Sequence, residues 1–389
     1  MARSVNSNAI VSLMVARIIY AVNWYNIGSI FSLIALDFTE NVAGLGILTG
    51  SFYLGLGLGQ VPGGILAAKI GPRKTAIYGT IIASSACLLS GLVSGFYQIA
   101  PLRLVAGLGM AFVFAPGVAL IAKYFGHRAE GLGVGVYNAV FYLGGALGLF
   151  GWAVFGSLFG WRLSLVSSGA LGIASGLVML FILPVDDLRQ EFSVKRSALM
   201  KVLTDRSLIL LGLKLFGITG GASLVTAIMV YYMEGTMQVS SALAGLIGGL
   251  ALLLALVASP IAGRNYDRQR DASRPLFLSG VAMGIGLVFA SITTIYWATL
   301  STLIVGFCSG IGTTVGFSAA REVNAGGEYE ALAVGWVNSL QLYSGFVWPI
   351  LFSFIVISSS YMVAWLVAGF CTIILASCAL MWRVPHRHR

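Results

Sequence analysis

Two basic residues stand in apolar runs where hydrocarbon would exclude a charge. Arg17 and Lys214 each lie about seven residues into such a run, roughly 10 Å from its start at about 1.5 Å per residue. A third, Arg103, lies near the opposite end of another run. A charge in the hydrocarbon region costs at least about 2.5–3.5 kcal/mol on insertion scales, so each is a candidate for function. Two cations facing one cavity would clamp an anion through charge-assisted hydrogen bonds. The competing reading is that both long side chains snorkel to the headgroups. Spacing alone leaves the two open, while Arg103 reads as structural.

Polar and aromatic residues near the middle of three runs complete the candidates for binding a solute: Trp24, Tyr25 and Asn26; Tyr137, Asn138 and Tyr142; Trp336, Asn338, Gln341 and Tyr343. An amide in hydrocarbon must find a partner, so Asn138 and Asn338 either tie helices together or bind solute. Asp37, Glu234 and Glu322 sit only at the ends of runs, which leaves no deep carboxylate for a proton relay. The three histidines, two of them in the tail (His386 and His388), and four scattered cysteines (Cys87, Cys308, Cys371 and Cys378) give no nucleophile, metal or disulfide pattern. No enzyme, cofactor or metal centre is expected.

The elements that must position these residues are set by composition. The 389 residues are 58% hydrophobic and 9% charged, with 50 glycines and a mean hydropathy of +0.93. A soluble domain carries about 25% charged residues, so this chain cannot cover a water-facing surface. A transmembrane helix needs about 20 mostly apolar residues. Twelve such stretches occur, at 9–33, 43–67, 75–97, 99–122, 131–156, 161–183, 208–233, 240–262, 275–293, 296–320, 331–355 and 360–382. The first shows no small-residue cleavage site and reads as a retained span.

Of the 23 Lys and Arg, 19 fall on one side of these spans, including Lys69, Arg73, Lys74, Arg264, Arg268 and the cluster in 184–207; the opposite loops hold Arg162. The positive-inside rule then puts both termini and the 184–207 linker in the cytoplasm of a multi-pass protein of the plasma (inner) membrane. The formal charge of +10 reflects topology and calls for no nucleic-acid partner. The predicted organisation is a six-helix bundle over 1–183, the linker 184–207, and a second bundle with a basic tail over 208–389.

The halves resemble one another. EGLGVGVYNAVFYLGG from Glu130 and EALAVGWVNSLQLYSG from Glu330 align at an offset of 200, and GILAAKIGPRK from Gly64 and GRNYDRQR from Gly263 at 199. The second pair resembles the loop motif of the major facilitator superfamily: Gly64, Lys69, Gly71, Arg73 and Lys74 in the first copy, Gly263, Asp267 and Arg268 in the second, with Ala68 where the family's Asp stands in the first. Arg103, Gly107 and Gly109 are similar to the family's pattern in its fourth span. The resemblance covers essentially the whole chain and implies an all-α membrane protein of two pseudo-symmetric six-helix bundles around a central cavity. It implies a secondary transporter working by alternating access. Cations on spans 1 and 7 are similar to those of facilitators for organic anions and organic phosphates, though there the span 1 arginine sits deeper. In the implied mechanism Arg73, Lys74, Asp267, Arg268, Glu130 and Glu330 gate the cytoplasmic side.

The expected substrate is a small organic anion bound by Arg17, Lys214, Trp24, Tyr25, Asn26, Tyr137, Asn138, Tyr142, Asn338, Gln341 and Tyr343. The expected partners are that small molecule, a co- or counter-transported ion and the lipid bilayer, with the protein a monomer. The rival readings are a carrier of a neutral, sugar-like solute and a non-transporting receptor on the same fold.

Overall fold

The computed structural model describes residues 7–125, 130–185, 196–269, 271–323 and 330–377. In the first half, α1 (Ser7–Trp24) and α2 (Asn26–Phe38) form one crossing with a break at Tyr25. Then come α3 (Val42–Ile70), α4 (Pro72–Ser90) and α5 (Ile99–Phe125), and α6 (Glu130–Ile182) crosses twice by reversing at Gly160. The short α7 (Arg196–Leu203) lies within the central linker. The second half repeats the plan: α8 (Arg206–Ala227) and α9 (Met229–Met237) share a crossing broken at Ile228, followed by α10 (Ser241–Gln269), α11 (Ser273–Phe289), α12 (Ile295–Val323), α13 (Glu330–Ser358) and α14 (Tyr361–Ser377).

Among the described residues this makes twelve crossings, six on each side of α7. Eight stretches are long and apolar enough alone; that at 132–182 holds two crossings, and α4, α11 and α14 supply the others. The 17-residue α11 and α14 are about 26 Å long at 1.5 Å per residue, close to the ~30 Å hydrocarbon thickness. The third crossing ends at Ser90, short of the predicted 97, because Gly91 to Gly95 interrupt it before a single 3-10 turn at Phe96–Gln98.

Local chemistry sets the ends. The Asn41 side chain accepts from the Ala43 amide at 2.8 Å and opens α3. Asp205 accepts from the Ser207 and Leu208 amides and opens α8, which satisfies donors that a helix start leaves free. Gly71 (φ +90°) and Gly160 (φ +82°) take backbone conformations that L side chains rarely adopt, and each reverses the chain between crossings.

Packing inside each half relies on absent side chains. Gly107 of α5 lies on the Phe52 carbonyl of α3, with no room for a Cβ; Gly306 of α12 lies in the same way on the Ala251 carbonyl of α10. Gly306 follows Gly107 by 199 residues, and Ala251 follows Phe52 by 199. The sequence repeat is thus a repeat of contacts. Small residues let helix backbones approach closely in a bilayer.

Candidate solute-binding cavity

The halves meet along α3 with α13 and along α6 with α10. At the side opposite the linker, this contact is closed. Ser353 donates to the Val42 carbonyl at 2.8 Å, the rings of Phe31 and Tyr231 meet edge-to-face at 5.2 Å, and the Ser32 hydroxyl donates to Glu234. Gly28 of α2 sits against the Thr226 carbonyl, where a Cβ would come within 2.9 Å. The breaks in the first and seventh crossings therefore abut.

Towards the linker side the halves part around a cavity of about 800 Å³. Its walls include Leu132 and Val134 at the start of α6, Gly263 on α10, and Phe317 and Ser318 on α12, all near the linker-side ends of their helices. The molecule is open on the linker side and closed on the other. The volume is in the range of small-molecule sites, about 300–1,000 Å³.

Arg17 is the one charged side chain among the described lining residues. It is 4% exposed. Four rings surround its guanidinium carbon: Phe141 at 4.5 Å, Tyr20 at 4.6 Å, Tyr137 at 4.8 Å and Phe114 at 5.0 Å. Its Nε and Nη1 have no hydrogen-bond acceptor. The ring faces attract the cation but accept no conventional hydrogen bond, so these two buried donor nitrogens are left unpaired inside the cage. A buried guanidinium in this state favours an anion with paired oxygens.

Of the other sequence candidates, Trp24, Tyr25, Asn138, Tyr142, Asn338 and Gln341 line the cavity. Tyr137 is buried and forms part of the cage around Arg17. Tyr142 and Thr313 pair at 3.3 Å across the two halves. Thr219 donates to Gln341 Oε1 at 3.1 Å, and Gln341 Nε2 donates to Asn338 Oδ1 at 2.8 Å. The sequence reading missed Tyr20, Tyr53, Phe141 and the hydroxyl residues of α8 and α12, because a lone Ser, Thr or aromatic in an apolar run carries no signal of which way it faces.

Four candidates lie elsewhere, one of them Trp336, which is half-buried and packs against the hydrophobic core. Asn26 is fully buried inside the first half, where it accepts from Arg103 Nη1 at 3.2 Å and donates to Ser168 Oγ and to Cys87 Sγ, each at 2.9 Å. Arg103 also stacks over Phe52, 4.3 Å from the ring centre. Tyr343 fills the contact between α3 and α13 beneath Gly57. Lys214 is buried, yet it is not among the lining residues. At 3.6 residues per turn, the lining residues Thr219 and Ser223 lie about 140° and 180° round α8 from it. In this conformation Arg17 and Lys214 do not share one cavity.

The gating candidates separate too. Arg73 is turned into its own half, where Nε and Nη2 donate to the carbonyls of Leu183 and Leu180 at 2.9 and 2.6 Å. It thus caps the end of α6 with a cation, as the helix dipole favours. Lys74, Asp267 and Arg268 are exposed, and Asp267 forms no ion pair with another described residue. Between α10 and α12, Tyr266 donates to Glu322 at 2.8 Å. Glu130 and Glu330 open α6 and α13, and their side chains lie outside the described residues.

Known proteins share this architecture. The model of the Major Facilitator Superfamily matches residues 13–235 and 211–389. The inner membrane transport protein YnfM of Escherichia coli (strain K12) is 28% identical over 58% of this chain and 55% of its own. The probable galactarate/D-glucarate transporter GudP of the same organism is 22% identical over 83% of this chain and 80% of its own. The chain thus spans about half of the former's length and most of the latter's. Among solved structures, a bacterial homolog to the human lysosomal transporter Spinster, in an inward-facing and occupied conformation, superposes with a TM-score of 0.80 at 14% identity, over 98% of this chain and 97% of that one. A mutant of the nucleoside transporter NupG superposes with a TM-score of 0.80 at 12% identity, over 96% and 99%.

Proposed function

This chain belongs to the Major Facilitator Superfamily, and from that premise we propose that it carries a small organic anion by alternating access. It is a multi-pass membrane transporter of a small molecule and not an enzyme. The observation that supports the anion is Arg17: a buried guanidinium with two unpaired donor nitrogens, lining a cavity whose described lining has no acid to neutralise it. Relatives with acid-transporting names are in keeping with this, among them GudP and the 4-hydroxybenzoate transporter PcaK of Pseudomonas aeruginosa, 28% identical over 40% of this chain.

In this reading the structure is the inward-open state of an inner-membrane protein acting as a monomer, with the linker and both termini cytoplasmic. Trp24, Tyr25, Asn138, Tyr142, Asn338 and Gln341 contact the solute beside Arg17, and Tyr137 holds the guanidinium in place. Asp267 and Arg268 gate the cytoplasmic side when it closes. Coupling is to a counter-anion, or to a proton carried on the solute, since no acid is found in the described lining.

A thermal-shift screen of purified protein over organic acids, phosphates, sugars and amino acids tests the reading, because a ligand of the native state raises apparent stability. Organic acids should raise Tm and neutral sugars should not. A sugar that stabilises while every anion is silent would overturn it.

A further inference from the structure

The two walls of the cavity differ in their hydrogen-bonding chemistry. On the first half stands Arg17, a pure donor, among Tyr20, Trp24, Tyr25, Tyr53 and Phe141. The second half presents no charged residue among its described lining but the amides of Asn338 and Gln341 and a series of hydroxyls. Five of the hydroxyl protons are already committed. Ser223 donates to the Gly220 carbonyl at 2.7 Å, Thr226 to Ala222 at 2.9 Å, Ser259 to Ala255 at 2.7 Å, Ser309 to Gly306 at 2.8 Å and Thr313 to Ser309 at 2.8 Å. A hydroxyl has one proton and two lone pairs. What these five turn towards the cavity is therefore acceptor capacity.

From this asymmetry we infer that the solute is a polyhydroxylated carboxylate, with its carboxylate on Arg17 and its hydroxyl groups donating to the oxygens of the second half. The inference rests on the organic-anion reading and narrows it. An alkyl carboxylate would satisfy Arg17 but strip water from the acceptor oxygens with nothing in return, and an unsatisfied buried acceptor is costly. A neutral polyol would satisfy the acceptors but leave a desolvated guanidinium without a counter-charge. A molecule bearing both groups meets both the cation of the first wall and the acceptor oxygens of the second. Because one wall belongs to each half, such a solute also bridges the two bundles, as a ligand must to favour their closure around it.

The test is calorimetric titration of the full chain in detergent with gluconate, hexanoate and sorbitol, which share a carbon count but carry both features, the anion alone and the hydroxyls alone. Gluconate should bind on the order of tenfold tighter than either of the others, since several hydrogen bonds are at stake. Thr226→Val and Ser309→Ala, which remove an acceptor oxygen and nearly keep the shape, should each weaken gluconate several-fold and leave hexanoate unchanged. Elution as a monodisperse peak with wild-type helicity checks that both variants are folded. Equal binding of gluconate and hexanoate, with sorbitol silent, overturns the hydroxyl assignment and leaves the anion reading standing. Equal binding of gluconate and sorbitol overturns the anion reading beneath it. Failure of gluconate to bind, or an equal loss for gluconate and hexanoate in both variants, also overturns the inference.

Discussion

The Ser32 hydroxyl on α2 donates to the Glu234 carboxylate on α9, and so joins the two halves at the end opposite the cavity mouth. The bond lies beside the ring pair Phe31–Tyr231 and on the same closed face as Ser353–Val42. It belongs to the state that is open on the linker side, because a state open on the opposite side must separate these helix ends. Removing a stabilising contact from one of two states shifts the population towards the other.

Glu234→Ala is therefore expected to favour the state open on the side opposite the linker. A hydrogen bond to a charged group is worth about 1.5–3 kcal/mol, so the ratio of states should move by about tenfold or more. Spin-label distances across the closed face should lengthen in the variant. An unchanged distance distribution would remove Glu234 from the closure.

The paired contacts Gly107–Phe52 and Gly306–Ala251 make a matched prediction about stability. A Cβ at either glycine meets a backbone carbonyl, which cannot rotate away as a side chain can. Gly107→Ala and Gly306→Ala should each cost about 1–3 kcal/mol, the usual penalty of overpacking. Thermal unfolding in detergent measures it. Gly135 faces open space, so Gly135→Ala serves as the control and should leave Tm unchanged.

Lys214→Gln is expected to leave solute affinity within about twofold of wild type, because Lys214 is not among the cavity-lining residues. A loss matching that of an Arg17 variant would restore the two-cation clamp. The sequence came close here for a definite reason. An offset of 199 maps Arg17 to Phe216, and Lys214 is only two positions away. Depth along a helix changes by about 3 Å over two residues, but direction changes by about 200°. Crossings, their order and the repeat were legible because they depend on long apolar runs and on an offset. Which face of a helix looks into the cavity was not, because nearly every face of a membrane helix is apolar. Asn26 illustrates this: it is adjacent to the lining residue Tyr25, yet it points into a network with Arg103, Cys87 and Ser168.

The orientation proposed from the basic loops is checked by labelling from outside the cell with an impermeant maleimide, in a chain without other cysteines. Thr294→Cys, exposed on the face away from the linker, should label in intact cells. Lys74→Cys, exposed on the linker face, should label only after lysis. The reverse pattern would invert the orientation.

Arg17 carries the sharpest expectation. Arg17→Gln removes the sole charge of the described cavity lining and with it charge-assisted bonds worth about 1.5–3 kcal/mol, so affinity for the anion should fall roughly 10- to 150-fold. Arg17→Lys keeps the charge and its attraction to the rings of Tyr20, Phe114, Tyr137 and Phe141. It loses the planar fork that holds two carboxylate oxygens at once, and should be impaired to an intermediate degree. Stability separates this binding role from a structural one. Arg17 Nε and Nη1 bond to nothing, so removing the charge relieves a desolvation cost that offsets the lost attraction to the four rings and the contact with Tyr20; the ligand-free Tm of Arg17→Gln should stay close to that of wild type. The rise in Tm on adding the anion should disappear with it. A lower ligand-free Tm together with an intact ligand-induced rise would make Arg17 a packing residue and return the solute to the hydroxyls and amides of the cavity.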